Sequence, residues 1–106
     1  MDFGAMNGLV KQAQEMQKKI SDMQTQLAGR TVSATAGGGM VTVTANGARE
    51  LVAIKLEREI INPDDPDMLS DLVLAAANEA LKKAQEMLSQ EMNQLTGGLN
   101  LPGLFK

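Results

Sequence analysis

Apolar residues recur near the start of the chain at Met6, Leu9, Ala13, Met16, Ile20, Met23 and Leu27, in steps that alternate three and four. That is the heptad seam of a coiled coil, and it predicts one long helix over residues 5–28. The other faces are Gln, Lys, Glu and Asp, and Gly29 is placed to stop the helix. Residues 31–58 change to a period of two. Val41, Val43 and Ala45 alternate with Thr42 and Thr44, and Val52, Ile54 and Leu56 alternate with polar Lys55 and Glu57. Three antiparallel strands are predicted, with Gly37-Gly38-Gly39 between the first two. Asn46-Gly47 is expected to form a tight hairpin turn in which both residues take positive φ. Asn62-Pro-Asp-Asp-Pro66 punctuates the end of the sheet, with Asp65 as N-cap and Pro66 in the first helical position. A second helix follows over 66–95, carrying Ala76, Ala77, Ala80 and Ala84 on its apolar stripe. Residues 96–106, rich in Gly, are expected to be a mobile tail.

The fold class is therefore α+β, in the order α-β-β-β-α, with a three-stranded antiparallel sheet in a single domain of 106 residues. Strands of six to eight residues reach about 20–27 Å, whereas helices of this length reach about 36–45 Å. Both helices are expected to project beyond the sheet, and their seams need each other or a second chain. Composition strengthens that expectation. There is no Trp or Tyr, only Phe3 and Phe105, and eight Met, so the core is thin and association compensates.

The chain has no His and no Cys, which removes imidazole bases, thiol nucleophiles and soft metal ligands. Ser21, Ser70 and Ser89 lie in helical patterns with no His to activate them, so no enzyme, cofactor or metal centre is expected. The net charge is −3, but Asp64, Asp65, Asp67 and Asp71 supply −4 within residues 62–71, leaving +1 elsewhere. That acidic group lacks the spacing of a calcium loop and reads as helix capping. Lys11, Lys18 and Lys19 fall on the first helix and Lys82 and Lys83 on the second. They are either solvated faces of amphipathic helices or contacts to phosphates without base specificity. The first thirty residues lack a signal-peptide apolar run, and no stretch nears the ~20 apolar residues that span a bilayer.

Leu9-Val-Lys-Gln-Ala-Gln-Glu-Met16 on the first helix resembles the YbaB/EbfC family of bacterial nucleoid-associated proteins. Gly39-Met-Val-Thr-Val-Thr-Ala-Asn-Gly47, Leu69-Ser-Asp-Leu-Val-Leu-Ala-Ala-Ala-Asn-Glu-Ala80 and Gly98-Leu-Asn-Leu-Pro-Gly103 are similar to it as well. The likeness runs from about Phe3 to Phe105. It implies a homodimer joined through the sheets, with paired projecting helices that bind double-stranded DNA in the cytoplasmic nucleoid, without catalysis, and influence gene expression. Carried over by position, it implies phosphate contacts at Lys11, Lys18, Lys19, Lys82 and Lys83. The residues alone also allow a coiled-coil protein-interaction adaptor that docks a partner on its Met seam or on Leu99, Leu101, Leu104 and Phe105.

Overall fold

The computed structural model describes residues 3–95; the tail expected over 96–106 lies outside them. Helix α1 (Phe3–Ala28) leads into strands β1 (Thr31–Ala36), β2 (Val41–Asn46) and β3 (Leu51–Leu56). A 3-10 turn (Arg58–Ile60) and a short loop then lead into helix α2 (Pro66–Leu95). The sheet is antiparallel in the order β1-β2-β3, so the strand that supplies the best-buried residues is also central. Ala34 of β1 and Ile54 of β3 flank Val43 in register, and Leu56 stands opposite Val41. Near the second turn the register shifts between Thr44 and Ala45, and a bulge brings Leu51 opposite Ala45.

Helix α2 lies across β1 and β2. Its Ala76, Ala80 and Ala84 are fully buried against Ala34, Val41, Val43 and Ala45. A methyl group at each contact position lets the helix backbone come close to the sheet, which compensates for the absence of large core side chains. The start of α2 is fixed as expected. Asp65 Oδ1 accepts from the backbone N–H of Met68 at 3.2 Å, three residues into the capping turn.

Among the described residues, only α2 covers the sheet. Helix α1 reaches the rest of the molecule through its last two turns, where Met23 and Leu27 pack with Met87, Leu88, Met92 and Leu95. From there its 26 residues run outward for about 39 Å in all. Leu9 is left 67% exposed, although Met16 and Ile20 are half-buried. The radius of gyration is 20.2 Å, against about 13 Å for a compact chain of this length. Of the two partners expected for the helix seams, each other or a second chain, the first is met among the described residues only at the C-terminal ends of both helices.

The β2–β3 connection differs from its expectation. Gly47 does not take positive φ; Arg49 does, at 61°. Asn46 ends β2, and its Oδ1 accepts from the N–H groups of Ala48 and Glu50, both at 3.0 Å. Its backbone closes the loop, with Arg49 N donating to Asn46 O at 3.0 Å and Asn46 N to Glu50 O at 2.9 Å. Gly47 is required for a different reason. Its N–H donates to Leu27 O at 2.9 Å and to Arg30 O at 3.1 Å. A Cβ there would collide with Leu27 O and lie 2.6 Å from Leu27 Cβ. The hairpin therefore clips onto the C-terminus of α1 and pairs one of its orphan carbonyls. In the other turn, Gly37, Gly38 and Gly39 all have positive φ, consistent with a hairpin.

Candidate nucleic-acid interface

A surface for a polyanion needs cations that other groups in the fold do not consume. Among the described residues two ion pairs form: Arg30 with Glu91 at 2.7 Å, and Lys55 with Glu57 at 3.7 Å. The first ties the entry of β1 to the end of α2, so the Arg30 guanidinium is already committed.

The five Lys residues fall into separate environments. Lys11 and Lys18, seven residues apart, share the α1 position that lies opposite the heptad seam. Both are exposed on the part of α1 that stands clear of the sheet. Glu15 lies on that outer side and Asp22 one turn beyond Lys18 toward the cleft, so the two carboxylates offset the local charge and no strong collective field builds up around Lys11 and Lys18. Lys19 borders the seam instead and lines the cleft between the helices with Asp22, Gln26, Glu91 and Gln94.

Lys82 and Lys83 are neighbours in sequence and part company in space, since successive residues on a helix point about 100° apart. Lys83 Nζ donates to Ser33 O of β1 at 3.0 Å. Lys82 faces the other flank and lines a notch with Ala48, Arg49, Asn78, Leu81 and Gln85. The described residues thus do not place all five Lys on one surface of a single chain. They give one outward pair on α1, one Lys in the interhelical cleft, one in the α2 notch and one turned toward β1.

Sequence reasoning overlooked Arg49. Its Nη1 donates to Gln85 Oε1 at 3.0 Å, which carries the guanidinium across to α2 beside Lys82. The signal available in the sequence was a basic residue two places after Asn46-Gly47, within a turn where small or flexible residues are usual.

The flank toward β3 also carries exposed apolar residues. Ile54 faces the same way as Val43 yet is 50% exposed, because α2 stops short of covering β3. Val52 and Leu74 are exposed as well, at 51% and 61%. No helix among the described residues is long and apolar enough to cross a membrane.

Comparison with known proteins agrees with this architecture. The chain is 53% identical over 104 residues to a nucleoid-associated protein of Clostridium acetobutylicum, covering 98% of this chain and 93% of that one. A nucleoid-associated protein of Pelotomaculum thermopropionicum is 54% identical over 102 residues, covering 96% and 97% respectively. Among solved structures, an uncharacterized protein from Helicobacter pylori superposes with a TM-score of 0.74 at 26% identity. That match spans 92% of this chain and 99% of the other. The family model for the YbaB/EbfC DNA-binding family matches residues 3–99, a span that holds both helices, the sheet and all five Lys. The α-β-β-β-α chain described above belongs to the YbaB/EbfC DNA-binding family.

Proposed function

We propose that the protein is a homodimer of the bacterial nucleoid that binds double-stranded DNA mainly through phosphates, organises the nucleoid and influences gene expression. The observation that carries this reading is the outward pair Lys11 and Lys18 on a helix that stands clear of the sheet, in a chain of a DNA-binding family. Lys19 and Lys82 extend the contact inward along the two helices, and Lys83 joins when it leaves Ser33 O. Each contact neutralises a phosphate and releases counterions without reading a base. The dimer is supported by the exposed apolar side chains Val52 and Ile54 of β3 and Leu74 of α2. Because β3 is an edge strand, a second copy can both bury these side chains and protect an open edge. Nothing in this mechanism calls for catalysis, a cofactor or a metal.

A gel shift with mixed-sequence duplex at two salt concentrations tests the reading. Binding should weaken with salt by about 0.9 in log–log slope for each phosphate neutralised. Lys18→Glu combined with Lys19→Glu should weaken binding to every sequence alike, and unchanged affinity would remove α1 from the contact surface. The exposed Met6, Leu9 and Val10 on α1 favour one other reading, a coiled-coil adaptor that docks a partner protein. No shift at low salt, together with stoichiometric capture of one protein on α1, would favour that reading instead.

A further inference from the structure

We propose that Arg49, at the tip of the β2–β3 turn, is a DNA phosphate contact that works together with Lys82; this rests on the DNA-binding reading above. The starting observation is conformational. The Asn46 side chain and the paired backbone groups of Asn46 and Glu50 close the loop tightly. The residue at position 49 must then adopt φ 61°. Glycine takes that conformation without steric cost, and Asn or Asp takes it more easily than a long side chain. Within the described fold, the Arg side chain returns little for this strain. It makes no ion pair among the described residues, it is exposed, and its hydrogen bond is to the neutral amide of Gln85. A long cationic side chain kept in a left-handed turn position points to a role outside the fold.

The surroundings define that role. The notch beside Arg49 is lined by Lys82, Asn78, Gln85, Leu81 and Ala48, with no carboxylate among them. The nearby acid in the turn, Glu50, is held back in the loop, where its Oε1 accepts from Asn46 Nδ2 at 3.2 Å, and it does not line the notch. A guanidinium and an ammonium therefore share a wall with two amide side chains that can also donate. This set suits a phosphodiester, which accepts from a planar fork and a point charge at once. Gln85 holds the guanidinium beside Lys82 before any ligand arrives. The same geometry explains why Lys82 and Lys83 diverge: Lys82 completes the notch while Lys83 steadies β1.

The test uses the full chain, a mixed-sequence duplex of about 25 bp, and fluorescence anisotropy across a salt series. Arg49→Gln and Arg49→Gly should both weaken binding and flatten the log–log salt slope by about 0.9 for each phosphate no longer neutralised. Arg49→Lys should retain most of the affinity. Arg49→Gly should also melt at or above the parent temperature, because it relieves the turn. Parental affinity and slope in Arg49→Gln would overturn the proposal while leaving the DNA-binding reading intact. So would an Arg49→Gly protein melting more than about 5 °C below the parent, a loss of roughly 1 kcal/mol, since Arg49 would then be structural. A changed mass of Arg49→Gln in light scattering would assign the residue to the rim of a subunit interface instead. Failure of the unaltered chain to bind the duplex at low salt would refute the DNA-binding reading itself.

Discussion

Gly47→Ala is expected to be among the most damaging single-methyl changes in the molecule. The added Cβ would meet Leu27 O, lie 2.6 Å from Leu27 Cβ and 2.7 Å from the Leu27 carbonyl carbon. Two of these three neighbours are backbone atoms, which cannot turn aside as the end of a flexible side chain can. Relief requires the hairpin to lift from α1, and lifting it stretches the bonds from Gly47 N to Leu27 O and Arg30 O. Overpacking of this kind costs about 1–3 kcal/mol, and the single Gly47 N–H, shared between the two carbonyls, contributes about 1 kcal/mol. A total near 3 kcal/mol lowers Tm by roughly 12–24 °C in a domain of this size. Thermal and urea unfolding followed by circular dichroism would measure it. Gly47→Asn discriminates further: a turn that needed positive φ would tolerate Asn, whereas a close approach rejects every side chain. A Gly47→Asn or Gly47→Ala protein melting within about 3 °C of the parent would refute the clip between hairpin and α1.

Three further outcomes follow from the same geometry. Asp65→Ala removes the acceptor for Met68 N–H and should cost about 1 kcal/mol, read as a lower urea midpoint with unchanged slope. Ala80→Leu pushes three extra heavy atoms into a fully buried contact between α2 and the sheet. It should cost about 1–3 kcal/mol, visible as a loss of Tm without loss of helix in the far-UV spectrum. Ile54→Asp places a charge on the uncovered side of β3, and light scattering should show the variant at half the parental mass with its strand signal retained.

The order of elements was legible because each boundary carries its own chemistry. The heptad spacing from Met6 to Leu27 yields α1, and Asp65-Pro66 starts α2 at the expected residue. What periodicity could not tell is which seam meets which. Both helices show an apolar stripe, but only α2 has Ala at the positions where the sheet demands close approach, so α2 takes the sheet. Helix α1 keeps its larger Met and Leu side chains for the ends of the helices and for surfaces beyond them. The Asn46-Gly47 pair marked the hairpin correctly and misassigned its mechanics, because the need for Gly there comes from Leu27, twenty positions earlier. The proposed contact residues were legible as a set of Lys in the sequence, and their separate environments were not. Helical rotation separates Lys82 from Lys83, and Arg49 enters only through the path of the turn.

The attachment of α1 gives the molecule a lever. The helix is held near Leu27 by a packed cluster and by the shared N–H of one glycine, while Lys11 lies about 24 Å along the helix from that point. A rotation of about 10° at that fulcrum carries Lys11 through roughly 4 Å, comparable with the rise across a single base-pair step. Small differences in how the joint is packed are therefore magnified into the position of Lys11 and, over a shorter arm, of Lys18. Substitutions around Leu27 and Gly47 are in a position to set where the projecting end of α1 stands relative to the sheet.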